Sequence, residues 1–130
     1  MRMIFDILPN EIFVFGSNDR GLHYGGAAKQ ALQWGAKMNQ AEGLMGNTYG
    51  IVTMNWETGK FIGWENITKQ LELLIDFAKA YPYLIFLLTP IGTGIAGAEL
   101  KELDNIVNNL ELPSNIEKLW AIGEEIPNEI

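Results

Sequence analysis

Cysteine is missing from this chain of 130 residues, and histidine occurs once, at position 23. The first absence excludes disulfides, thiolate metal sites and cysteine nucleophiles, and it accords with a cytoplasmic setting. One histidine and no tight carboxylate cluster make a metal centre unexpected, and a serine–histidine–aspartate triad has no basis. Basic residues are few as well. Nine Lys and Arg face 16 Asp and Glu, for a net charge of −7 and an isoelectric point near 4.6. Duplex nucleic acid calls for a basic face, so it is not an expected partner. A small anion gripped by backbone dipoles stays open, because that grip is local and ignores net charge. No apolar run nears the roughly 18 residues of a membrane span. Asp6 and then Pro9 make the opening segment a poor secretory signal, and no membrane partner is expected.

What remains reads as one globular domain over residues 1–130. Apolar residues make up 48% and charged residues 19%, enough for a buried core and too apolar for a disordered chain. No repeat, linker or low-complexity tract divides it, and residues 123–130 read as a short, peripheral acidic tail.

Glycine is the residue the chain spends most pointedly. The apolar run Ile12-Phe13-Val14-Phe15 leads into Gly16-Ser17-Asn18, then Gly21 and Gly25-Gly26-Ala27-Ala28. Residues 84–89 lead in the same way into Pro90-Ile91-Gly92-Thr93-Gly94-Ile95-Ala96-Gly97. A buried strand ending in glycines and followed by a helix presents unpaired backbone N–H groups at its carboxyl end. Two such turns side by side can grip a phosphate or diphosphate from both flanks.

The rest of the chain alternates strand and helix patterns. Residues 3–7 suggest a short edge strand, and residues 12–15 a strand buried on both faces. A helix is expected from Gly26 to Trp34, with Ala27, Ala31 and Trp34 at i, i+4 and i+7 and Gly35 either ending or interrupting it. Gly43, Gly46 and Asn47 mark a turn before a strand over residues 48–54, and residues 57–60 a tight turn. Ile67, Leu71, Leu74, Ala78 and Tyr81 keep one apolar stripe on a helix capped by Asn66 and stopped by Pro82. Residues 84–89 form the most apolar strand, expected at the sheet centre. A helix over residues 99–110 and a strand over residues 116–122 complete the pattern. Such alternation argues for a parallel or mixed sheet covered on both faces, with ligands beyond the carboxyl ends of its strands.

Two familiar nucleotide motifs fail on inspection. Gly92, Gly94 and Gly97 match the dinucleotide fingerprint G-x-G-x-x-G, but the match falls late in the chain. The acid about twenty residues on, Glu117, would start the next strand rather than end it, so no nicotinamide or flavin cofactor is expected. Gly21 and Gly26 have the spacing of a triphosphate loop, yet Ala27 and Ala28 stand where its lysine and hydroxyl belong. Other candidates carry two readings each. Ser17, Asn18 and Asp19 form either a turn built on Asx hydrogen bonds or a set in which Asn18 meets a ribose hydroxyl or base edge. His23 is either a turn or packing residue or a phosphate contact. Trp56 and Trp64 flank a loop, where one of them can stack on a base or simply join the core.

Taken in order, these segments show a resemblance. Gly25-Gly26-Ala27-Ala28-Lys29-Gln30-Ala31, with Ser17-Asn18 upstream, resembles the first ligand loop of macrodomains, the ADP-ribose-binding family. Tyr49-Gly50-Ile51-Val52-Thr53 followed by Pro90-Ile91-Gly92-Thr93-Gly94-Ile95 resembles its terminal ADP-ribose glycohydrolase branch. The chain is also similar to small macro-like proteins of bacteria and phages. The resemblance implies a three-layer α/β/α macrodomain-like sandwich around a mixed, mostly parallel sheet, with ADP-ribose or a related small nucleotide across the sheet edge. It implies that Gly25, Gly26 and Ala27 approach the distal ribose or phosphate, with Asn18 at the distal ribose. Gly92, Thr93, Gly94 and Ile95 would wrap the diphosphate, and Ser17 and Thr53 complete the expected ligand-binding set.

Two positions depart from that branch. Met54 stands where it has a lysine, and Ala96 where it has an aspartate; neither can form a covalent adduct or take a proton. The expectation is therefore nucleotide binding without that mechanism and without a cofactor. One alternative is a hydrolase in which Asn18 orients a water and Asp19 or His23 assists. Another is a partner-binding domain whose glycines only shape turns.

Overall fold

The computed structural model describes residues 6–121. Along them run β1 (Glu11–Asn18), α1 (Gly26–Ala31), β2 (Gly43–Met45), β3 (Thr48–Met54), α2 (Trp64–Ala80), β4 (Ile85–Leu88), α3 (Leu100–Asn109) and β5 (Ile116–Lys118). A 3-10 turn, Leu32–Trp34, prolongs α1. The strands form one sheet in the order β2-β3-β1-β4-β5, parallel throughout except for β2 against β3. Among the described residues the fold is thus α/β with a mixed, mostly parallel sheet.

The run Ile12-Phe13-Val14-Phe15 explains why β1 takes the middle. All four side chains are buried, and they alternate between the two faces. Ile12 and Val14 join the core beneath α2 and α3, with Ile67, Leu71, Leu74, Leu103 and Val107. Phe13 and Phe15 point the other way, into a smaller core with Ala28, Ala31 and Met45. Helices therefore cover both faces, α2 and α3 on one and α1 on the other. The chain leaves β1 over one face to reach β3, then crosses back over the opposite face to reach β4. That reversal puts a crevice at the carboxyl ends of β1, β3 and β4.

Several local expectations shift. The sheet centre is β1, and the apolar strand after residue 84 lies beside it as β4. Within α1 Ala28 joins Ala31 as buried, Ala27 packs half-buried against the same core, and Trp34 meets Phe13 edge-on at 4.8 Å. α2 begins at Trp64 behind Gly63, so Asn66 sits inside the first turn instead of capping it. The turn expected at Gly46-Asn47 is the two-residue tip of a hairpin, whose first strand, β2, was not foreseen. β5 spans three residues, shorter than expected. The described part of the expected first strand, residues 6–7, is not in a strand; its remainder and the acidic tail lie outside the described residues.

Two side chains finish the sheet where strands run out. Beyond the last β2 pair, the Gln70 amide takes the place of a strand. Its Oε1 accepts from Val52 N and its Nε2 donates to Val52 O, both at 2.8 Å. Buried Asn115 donates to the carbonyls of Ala78 (2.9 Å), Tyr81 (3.3 Å) and Leu84 (3.0 Å), tying the end of α2 to β4 and β5. Among the described residues no helix is long and apolar enough to cross a membrane.

Candidate functional site

The two glycine-rich segments meet. The loop after β1 and the loop after β4 line one cavity of about 560 Å³, with the end of β3 as its floor. Ser17, Asn18, Gly25, Gly26, Ala27, Thr53, Gly92, Thr93, Gly94 and Ile95 all line it. The loops face each other closely: a Cβ built on Gly25 would stand 3.5 Å from Ile95 Cδ1. The strand ends beneath them are tightly packed. A Cβ on Gly16 would meet Thr53 Oγ1 at 3.2 Å and Gly92 N at 3.3 Å, so glycine there lets the second loop seat on the sheet.

Among the described residues, the lining carries no charged side chain of either sign. Its serine and threonine hydroxyls are engaged with carbonyls: Ser17 donates to Ala41 O, Thr53 to Ser17 O at 3.2 Å, Thr89 to Val14 O at 2.7 Å and Thr93 to Pro90 O at 2.7 Å. The main chain adds unengaged donors. Among the described residues, the N–H groups of Gly92, Gly94, Ile95 and Ala96 find no acceptor. Across the cleft, the N–H groups of Gly26, Ala27 and Ala28 lack partners within α1. Such a lining offers hydrogen bonds to an anion and supplies no general base.

The polar residues of the first loop build the loop. Asn18 is buried; its Oδ1 accepts from Arg20 N (3.1 Å) and Leu22 N (3.0 Å), and its Nδ2 donates to Leu22 O (2.8 Å). This is the Asx-turn reading of the sequence, though Asn18 also borders the cleft. His23 turns inward and does not line the cavity. It is 1% exposed, edge-on to Phe15 at 5.3 Å, with Nε2 3.0 Å from Gln40 O. Its buried Nδ1 has no hydrogen-bond partner among the described residues. Asp19 lies on the outer side of the loop, where its carboxylate accepts from Trp56 N at 2.8 Å and Asn55 Nδ2 at 3.2 Å. The cleft thus gathers all ten expected ligand-binding residues, including Asn18, and leaves out Asp19 and His23.

Residues 39–41 buttress this loop from below. Asn39 N donates to Gly21 O at 2.8 Å, and Gly21, with φ +67°, packs so closely that a Cβ would sit 2.5 Å from Gln40 N. The sequence reading missed two cleft residues of consequence, Tyr24 and Met54, as contacts, and left Trp56 open. Tyr24 and Trp56 meet at 5.7 Å and 71° at the cavity rim, Tyr24 62% and Trp56 37% exposed. Two aromatics on separate polar loops were the available signal. Trp64, the other candidate, instead packs on Phe61 and donates to Glu102 at 3.1 Å. Tyr49, whose pKa is raised by burial and Glu42, and Asp104, whose pKa is lowered chiefly by its bond from Lys118, do not line the cleft. Among the described residues no group of three or more His, Cys, Asp or Glu is arranged to hold a metal.

No protein-family profile, curated protein or solved structure significantly matches this chain.

Proposed function

We propose that this protein is a macrodomain-like binding module for ADP-ribose or a related nucleotide, held by main-chain donors of its two glycine-rich loops. The observation that carries the reading is the shared cleft. Two loops far apart in sequence, each following a buried parallel strand, converge on one cavity lined by backbone N–H groups and apolar surface. Its size suits a small molecule, and its position at the reversal of strand order is where such sheets take ligands. An uncharged lining accommodates a diphosphate in an acidic protein, because the attraction comes from dipoles a few ångströms away.

Binding is favoured over hydrolysis. Met54 and Ala96, at the positions where the glycohydrolase branch has lysine and aspartate, both line the cleft, and Asp19 and His23 do not. Among the described residues, no other lining side chain offers a carboxylate, imidazole or amine.

Isothermal titration with ADP-ribose tests the reading. Saturable one-to-one binding is expected, with no turnover of an ADP-ribosylated substrate. Gly94→Phe is the matched control, since a Cβ at Gly94 enters open space and its φ is unrestrictive. The variant is expected to fold and to lose binding. A flat wild-type titration up to millimolar ligand would refute the proposal in favour of a partner-binding domain.

A further inference from the structure

The rim of the cleft holds the two rings that the phosphate-gripping loops do not need. Tyr24 comes from the loop after β1 and Trp56 from the turn after β3, and both line the cavity. Their rings meet at 71°, so whichever one presents its edge, together they form a corner. A flat ring laid against one of them would turn its edge to the face of the other. Both contacts are favoured arrangements for aromatic systems.

Trp56 belongs to no strand or helix, so something else must fix it. Asp19 does so through the main chain: one carboxylate oxygen takes the Trp56 N–H and the other the Asn55 amide. Asp19 N also donates to Met54 O at 3.1 Å, which locks the two loops from both directions. The neighbouring Arg20–Glu57 ion pair, at 3.6 Å and well exposed on both sides, is a weak substitute. Asp19 lies outside the lining, so its influence on a ligand passes through Trp56.

Resting on the nucleotide-binding reading above, we propose that Tyr24 and Trp56 form a stacking corner that selects ligands bearing a nucleobase beyond the diphosphate, and that Asp19 is the positioning residue that sets it. The corner adds selectivity to a grip that any diphosphate can use. Stacking of a base on an aromatic side chain commonly contributes about tenfold in affinity.

The test compares two probes, ADP-ribose by calorimetry and inorganic pyrophosphate by amide shifts of residues 92–96 in NMR titration. Trp56→Ala and Asp19→Ala are each expected to weaken ADP-ribose about tenfold while leaving pyrophosphate within about twofold. The unchanged pyrophosphate response shows that the variants are folded. The double variant is expected to bind ADP-ribose no more weakly than Trp56→Ala, because Asp19 acts through that ring. Asp19→Asn keeps an oxygen for Trp56 N and is expected to restore affinity to within about threefold of wild type. Equal losses for both probes, additive losses in the double variant, or wild-type ADP-ribose affinity in Trp56→Ala would overturn the proposal while leaving the glycine-loop reading intact. A wild type that binds neither probe would overturn both.

Discussion

Gly25 and Gly21 share a loop and a letter, and they do different things. Gly25 has extended backbone, φ −153°, that any residue adopts, and its missing side chain leaves the gap opposite Ile95. Gly25→Val is therefore expected to keep the melting temperature within a few degrees while weakening ADP-ribose at least tenfold, as calorimetry beside a thermal melt would show. Gly21 combines positive φ with backbone contact to Gln40. Gly21→Ala is expected to cost about 2 kcal/mol or more in urea denaturation, through strain and a forced shift of the buttress. The spacing of these glycines could be read from the chain, but their separate duties could not, because a one-letter code carries no φ. Asn18, Asp19 and His23 show the same limit. Residue type said they can bond; only direction decides that Asn18 folds the loop, Asp19 faces Trp56 and His23 packs on Phe15.

Elements with strong periodicity were legible, and elements made by their neighbours were not. α2 buries Ile67, Leu71, Leu74, Ile75 and Ala78, four of them on the expected stripe; the fifth expected member, Tyr81, ends outside the helix and 40% exposed. Leu71→Ala, in the middle of that stripe, is expected to lose about 2–5 kcal/mol on denaturation. β2 escaped notice because three residues, one a glycine and one an exposed leucine, carry no alternation; they pair only because Gly46-Asn47 folds them onto β3. α3 and β5 are joined by Asp104, which accepts from Lys118 Nζ at 2.8 Å and Trp120 Nε1 at 2.7 Å. These bonds, the one from Lys118 foremost, hold the Asp104 carboxyl below its usual range against the opposing effect of burial. A folded pKa below the unfolded one contributes stability that is complete above about pH 3.9 and lost as pH falls through the folded value. Asp104→Asn is accordingly expected to flatten the acid limb of a stability profile measured by denaturation below about pH 4.

At the scale of the whole molecule, a net charge of −7 surrounds a neutral cleft. On the binding reading proposed above, an anionic ligand would be repelled at long range and held at short range. Added salt screens the first term far more than the second. The dissociation constant for ADP-ribose is expected to change less than about threefold between 50 and 500 mM NaCl; a tenfold weakening would point to cationic side chains in contact with the ligand. The low count of basic residues was legible in the sequence. What composition could not supply was convergence: that residues 16–28 and 89–96 share a cavity follows from β1 standing between β3 and β4, a pairing of distant segments.

The Gln70 amide on Val52 has a consequence for the company this protein keeps. A sheet margin with vacant main-chain groups invites the backbone of another molecule to extend it, the first step toward fibrils and swapped dimers. Here a helix residue fills that berth with both a donor and an acceptor, so at Val52 the rim beside the crevice offers no such template. At that point the flank is closed by the protein's own helix while the crevice beside it stays open.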